Sequence, residues 1–309
     1  MASREDEDDA ERCWVCLEGE AGGPLVQLCA CRGSAKWSHR HCLDRWRRTS
    51  PRIDAAYRCG QCMDEYRDPL SLELLRERLQ AERTNNQASA FTMSTLASEL
   101  REQGCYDEAE LLYSDLLEWY RATLGNRHPD TLNTITSLGA LLQKKGDHAA
   151  AEPLYREVLA VQRTTLDSRH PSTFTSISSL GALLLAKGDF AAAEPLLREA
   201  LEGQRDTLGN RHPNTLISVG NLAALLQTKG DLAAAEPLSR EALEVQRETL
   251  GNRHPHTLIS IGNLGLLLLT KGDLAAAEPL LREALEVQRE TLGNRHPDTL
   301  NTITSLGAL

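Results

Sequence analysis

No stretch of this chain approaches the roughly 18 consecutive apolar residues that a membrane span requires. The apolar run Leu264–Leu269 is only six residues and includes Gly265, so a soluble protein with no membrane span is expected. A secretory signal is missing too, because the opening MASREDEDDAER is acidic and has no apolar core. Cysteine is scarce outside one short segment: of eight cysteines, seven lie between residues 13 and 62, and Cys105 stands alone. Clustered cysteines without a signal point to a reducing compartment and metal binding, not to a disulfide framework. A cytoplasmic location is expected, with the nucleus as the alternative. Positive charge is not in surplus either. The net charge of −10 argues against nucleic acid as a partner.

What is present begins with an uneven charge distribution. Residues 1–12 carry two basic and six acidic side chains, whereas residues 13–67 carry nine basic and six acidic ones. An acidic, disordered leader (1–12) is therefore expected before a basic module (13–67). That module spaces eight metal-ligand residues as Cys13-x2-Cys16, Cys29-x-Cys31, His39-x2-Cys42 and Cys59-x2-Cys62. Thiolate and imidazole pairs at such spacing each clamp half of a tetrahedral zinc site. Four pairs make two closed sites, so the segment is expected to fold around two structural Zn2+ ions. His41 competes with His39, but it adjoins Cys42, and two ligands with no residue between them do not easily face one ion.

Past residue 84 a 42-residue period dominates. The His-Pro pair recurs at 128/129, 170/171, 212/213, 254/255 and 296/297, and the Gly-Asp pair at 146/147, 188/189, 230/231 and 272/273. The units are 84–125, 126–167, 168–209, 210–251 and 252–293, with a partial copy at 294–309. Each unit reads as two helices. The first runs from about Asp130 to Lys145 with Leu132, Ile135, Leu138 and Leu142 at helical spacing. The second runs from about His148 to Leu166, with Pro153 in its early turns. Gly146 suits a left-handed C-terminal cap and Asp147 an N-cap. Neither helix buries its apolar face alone, so the units must stack into a mostly α solenoid. A helical connector, 68–83, precedes it. Leu72, Leu75 and Leu79 line one side of that connector, either to pack on the first repeat or to form a dimer seam. The last nineteen residues repeat 123–141 and stop within a first helix, so a fragment or a truncated product is expected.

With Leu138, Gly139, Leu142, Ala151 and Tyr155 in one copy and Leu222, Ala223, Leu226, Ala235 and Ala242 in another, the array resembles the tetratricopeptide repeat family in its kinesin-light-chain form. The resemblance implies a concave face, lined by first helices, that binds a protein or peptide substrate or adaptor. Candidate positions there are Asn133, Thr136, Ser137, Gln143, Asn221, Gln227 and Asn263, on a largely neutral surface. Lys145, Lys187, Lys229 and Lys271 are expected to form a basic column at one edge. Histidines one per unit stand about one helix-pair width apart, on the order of 10 Å per helix packing distance, too far to share a metal. They are expected to start helices and pack between repeats.

The stretch CRGSAKWSHRHCLDRW resembles the RING-CH (RING-variant) family of ubiquitin ligases, through Cys31-Arg32-Gly33-Ser34 and Leu43-x-x-Trp46. The plant homeodomain finger fits less well: its third ligand pair is wider and it carries a tryptophan where this chain has Tyr57 and Arg58. The resemblance implies a small crossed-brace finger in which one zinc takes Cys13, Cys16, His39 and Cys42, and the other Cys29, Cys31, Cys59 and Cys62. It implies a ligase that docks a ubiquitin-charged conjugating enzyme through Val15 and Trp46, with no catalytic side chain and no covalent intermediate. Gly60 and Gln61 replace a proline common between the last two cysteines, and Met63 replaces a common basic residue. These departures, with the absence of the membrane spans usual in the family, leave a second reading open. In it, the chain is a non-catalytic, kinesin-light-chain-like scaffold whose finger only mediates an interaction.

Overall fold

The structure, a computed structural model, describes residues 12–20, 23–27, 31, 36–50, 55, 58–59, 70–84, 89–167, 169–291, 294 and 297–307. The expected leader to residue 11, the ligands Cys29 and Cys62, the Gly60, Gln61 and Met63 departures, and His296 lie outside the described residues. The chain divides into two compact units, one up to Asn126 and one from Arg127 onward.

In the first unit, β1 (Leu25–Val26) pairs antiparallel with β2 (Ser38–His39), with Leu25 opposite His39 and Val26 opposite Ser38. β2 runs straight into α1 (Arg40–Thr49), which buries Leu43 and Arg47. Then come α2 (Leu70–Thr84), α3 (Ala90–Glu102) and α4 (Tyr106–Thr123). Leu72, Leu75 and Leu79 are buried, α2 packs on α3, and Arg76–Glu108 and Arg83–Asp115 tie α2 to α4 at 2.5 and 3.0 Å. The leucine face is spent inside this unit rather than offered as a dimer seam.

The second unit holds α5 (Pro129–Lys145), α6 (His148–Thr165), α7 (Pro171–Ala186), α8 (Phe190–Leu208), α9 (Pro213–Thr228), α10 (Leu232–Leu250), α11 (Pro255–Lys271), α12 (Leu274–Thr291) and α13 (Pro297–Gly307). Each packs on its chain neighbours, and first helices also touch across repeats, α7 on α9 and α11 on α13. The His-Pro pairs start the first helices. Histidine Nδ1 accepts the amide of the residue two ahead at 3.1–3.2 Å in His128, His170, His212 and His254. Proline follows at the first helical position, where no backbone donor is needed. Gly146 closes α5 at φ 89°, a left-handed conformation without penalty only for glycine. Asp147, Asp189, Asp231 and Asp273 then cap the second helices by accepting from the amide three residues on, at 3.0–3.2 Å.

The lysine column differs from the sequence expectation. Lys187, Lys229 and Lys271 each bind a second-helix glutamate 35 residues back: Glu152, Glu194 (2.5 Å) and Glu236 (2.6 Å). The same glutamates hold Arg156, Arg198 and Arg240 one helical turn away. Helix stacking brings each lysine over the preceding repeat's acid, so this edge is a neutralised ladder and not a free basic stripe. Glu278, paired here with Arg282, has a side chain 48% exposed, against 17–23% for the other three.

Candidate metal centre and binding surfaces

The first half-site is built by a tight loop. The Cys13 amide donates to the Glu18 carbonyl at 2.8 Å and the Leu17 amide to the Cys13 carbonyl at 2.7 Å. Closing this loop holds Leu17 at φ 64°, an uncommon conformation for a branched side chain. The Trp14 amide donates to the Trp37 carbonyl at 3.1 Å, which docks the loop beside the ribbon. The ribbon then delivers His39 at the end of β2 and Cys42 in the first turn of α1.

These elements bring Cys13, Cys16, His39 and Cys42 together, with one donor atom from each within 4.8 Å of the others. His39 Nδ1 lies 3.3 Å from Cys16 Sγ and 3.8 Å from Cys42 Sγ. A tetrahedral zinc with its usual bond lengths sets neighbouring donors roughly 3.5–3.8 Å apart, so the donor set fits a zinc ion. His39 is buried, and its Nε2–H donates to the Gly19 carbonyl at 2.9 Å, which leaves Nδ1 as the free lone pair facing the sulfurs. His41 is exposed; it stacks on His39 at 5.4 Å and sets Nε2 3.3 Å from Cys42 Sγ.

The charge balance also suits a cation. Burial raises the Cys13 thiol, but hydrogen bonds from the amides of Cys16, His39 and Val15 outweigh it and bring it down to about 7. The Cys42 thiol is pushed up to about 12 by burial, then by Cys16 and by charge on Cys13. Neighbouring thiolates oppose one another's ionisation, and a bound dication removes that opposition.

Of the second proposed set, Cys31 and Cys59 are buried with their sulfurs 3.5 Å apart. Together with Leu43 they form the module's small core, against which Trp14 and Trp46 pack with ring centroids 5.4 Å apart, edge to face. Trp46 is thus half in the core, and Val15 is half-buried on the metal loop. Sequence reasoning missed three participants. Trp14 completes the aromatic pair, Leu17 presents a 73% exposed apolar side chain beside Cys16, and Gly19 orients His39. Trp14 stood in plain view between the first two cysteines, whereas a backbone carbonyl leaves no residue-type signal. One turn beyond Leu43 in α1, Arg47 donates to Ser71 at 2.9 Å and Arg48 bridges Glu73 and Glu77, coupling the metal module to α2.

On the repeats, Asn133 and Asn263 are exposed, and Thr136, Ser137, Gln143, Asn221 and Gln227 are half-buried. Thr136 Oγ1 donates to its own helix at Leu132, and Gln143 accepts from the Tyr155 hydroxyl at 3.3 Å. Beside Asn221 and Asn263, the same helices expose Ile217, Ile259 and Leu266. The first-helix face is therefore neutral, as expected, but more apolar than the asparagines alone indicated.

A cysteine–histidine zinc module followed by a helical-repeat solenoid defines the class of this chain. Residues 13–62 match the RING-variant domain, and overlapping matches to the tetratricopeptide repeat cover 88–164, 134–206, 172–248, 214–290 and 263–309. The chain belongs to the tetratricopeptide repeat family and carries a RING-variant domain at its N-terminal end. It is 42% identical over 59 residues to E3 ubiquitin-protein ligase MARCHF5 of Xenopus laevis, covering 18% of this chain and 21% of that one. The chain thus spans about a fifth of that relative's length. A Podosopora anserina protein named as a kinesin light chain with nearly identical TPR-like repeats is similar over 65% of this chain and 95% of its own, at 30% identity and TM-score 0.53. BtubC (BKLC) from P. vanneervenii aligns over 66% of this chain and 82% of its own, at 25% identity and TM-score 0.56. Among the described residues no helix is long and apolar enough to cross a membrane.

Proposed function

We propose that this chain is a RING-CH type E3 ubiquitin ligase whose repeats recruit a substrate or adaptor. The carrying observation is the convergence of Cys13, Cys16, His39 and Cys42 within a segment similar to a ubiquitin ligase. In this reading one zinc takes those four residues and a second takes Cys29, Cys31, Cys59 and Cys62. Both ions are closed by protein ligands and have no open position to activate water, so their role is structural. Catalysis is positioning: the module holds a ubiquitin-charged conjugating enzyme so that its thioester meets an acceptor amine. Val15 and the exposed Leu17 on the metal loop, with Trp46 braced by Trp14, offer the apolar docking surface. The first-helix face of the repeats, with Asn133, Asn221 and Asn263 beside Ile217 and Ile259, receives the protein to be modified. The protein works in the cytoplasm.

The kinesin-light-chain likeness covers 65% of the chain against 18% for the ligase likeness, and this favours one rival: a scaffold whose finger only mediates an interaction. Autoubiquitination by the zinc-loaded full chain across a panel of conjugating enzymes separates the two. Ubiquitin chains that vanish with Val15→Ala or Trp46→Ala support the ligase. A folded, zinc-bound finger that is silent across the panel supports the scaffold.

A further inference from the structure

Three of the four full copies between 126 and 293 share one packing rule, and the copy at 210–251 breaks it. Where the two helices of a unit cross, a first-helix glycine faces a large second-helix side chain. A Cβ at Gly139 would sit 3.2 Å from the Tyr155 ring, at Gly181 2.8 Å from Leu197, and at Gly265 2.7 Å from Leu281. Tyr155, Leu197 and Leu281 are all buried. In the copy at 210–251 the pair is Ala223 and Ser239. An added methyl on one side does not replace the side chain lost from the other. The result is a cavity of about 100 Å3 between α9, α10 and α11, lined by Ala223, Gln227, Ser239, Ser260 and Asn263 among others.

The missing side chain also strands polar groups. Gln143, two units earlier, accepts the Tyr155 hydroxyl at 3.3 Å. Its counterpart Gln227 faces the pocket that Ser239 leaves open, and Ser239 is too short to play the tyrosine's part. Gln227, Ser239, Ser260 and Asn263 make no side-chain hydrogen bond among the described residues. Asn263 is exposed and the other three are half-buried, so the pocket opens on the first-helix face.

We propose that this cavity is a specificity pocket for a neutral carboxamide side chain, glutamine or asparagine, of a peptide bound along the first-helix face. It rests on the reading of that face as the recruitment surface. The pocket's chemistry selects the occupant. No ionisable residue lines it, so a charged side chain would be desolvated without a partner. An apolar side chain would leave four donors and acceptors unpaired, each a penalty comparable to a lost hydrogen bond. An aromatic ring is too large, since a cavity of about 150 Å3 is what encloses benzene. A carboxamide has four or five heavy atoms and both donates and accepts, matching two hydroxyls and two amides.

A random linear peptide library displayed on phage, selected against the full chain, tests the assignment. Two variants accompany it: Ala223→Gly with Ser239→Leu, which installs the pair at Gly181/Leu197 and Gly265/Leu281, and Gln227→Leu, the residue at positions 185 and 269. Both borrow side chains that neighbouring copies already pack, and circular dichroism checks their fold. Selected peptides should share a glutamine or asparagine and bind each variant about ten- to a hundredfold more weakly. Peptides that bind but share an apolar, aromatic or charged residue there, or lose nothing in the variants, overturn the pocket and leave the recruitment face standing. No peptide enriched at all overturns both.

Discussion

His39 Nε2 donates to the Gly19 carbonyl oxygen at 2.9 Å, which turns Nδ1 of the same ring toward the sulfurs of Cys16 and Cys42. One backbone carbonyl thereby fixes the tautomer that a cation needs. Structural zinc contributes on the order of 10 kcal/mol to small cysteine–histidine modules. Cys13→Ser should therefore lose zinc and unfold residues 13–62, while α5 to α13, in a separate compact unit, keep their helical signal. Zinc content and circular dichroism together check this; loss of both signals at once would refute the independence of the two units. Wild-type chain should carry two zinc ions by elemental analysis, and one would leave the second ligand set unsupported.

Phe174 fills the space over Gly203, where a Cβ would meet its ring at 2.1 Å. The three other full copies between 126 and 293 hold leucine and valine at these positions: Leu132 with Val161, Leu216 with Val245, and Leu258 with Val287. Gly203→Val alone should destabilise the array by about 1–3 kcal/mol through overpacking. Adding Phe174→Leu should recover most of that, despite removing a buried ring. Thermal melts of the single and double variants read the coupling.

The histidine caps predict a graded series. His212→Ala removes the acceptor for the Asn214 amide at 3.1 Å and should destabilise by about 1 kcal/mol. His212→Asn restores a capping oxygen and should recover most of the loss. Equal melting temperatures for the two variants would assign the histidine to packing alone.

The glutamate ladder predicts an acid limit. Lys187 donating to Glu152, Lys229 to Glu194 and Lys271 to Glu236, each aided by an arginine, hold these carboxyls below their ordinary 4.5. A carboxyl depressed on folding contributes stability that is fully present above its unfolded value and fades as pH falls through the folded one. The array should thus weaken below pH 4.5. Glu236→Gln should weaken it at neutral pH and flatten the acid dependence. Each exposed pair is worth little alone, so the effect should appear across the ladder and diminish with salt.

The repeat was legible because its signals are local. His-Pro, Gly-Asp and a 3.6-residue apolar pattern each encode a cap, a turn or a buried face within one unit, and α5 to α12 follow them. The four clustered ligands were likewise visible as spacings. Contacts set by stacking were not. Lysines 35 residues from their acids read as a free basic column, because nothing in the local sequence marks a partner on the preceding repeat's second helix. Ser239 carries no local signal, because the space it leaves open depends on the facing Ala223, where Gly181 and Gly265 meet leucines. Arg47 reaching Ser71 depends on how α1 meets α2, which no spacing encodes.

Ubiquitin transfer by the full chain is the most direct test of the account. Zinc-loaded protein with activating enzyme, ATP and a panel of conjugating enzymes should form ubiquitin conjugates with at least one of them. The conjugates should disappear on chelation or with Trp46→Ala while α5 to α13 stay folded. A chain that binds zinc, keeps its finger folded and forms no conjugate with any enzyme of the panel would contradict it.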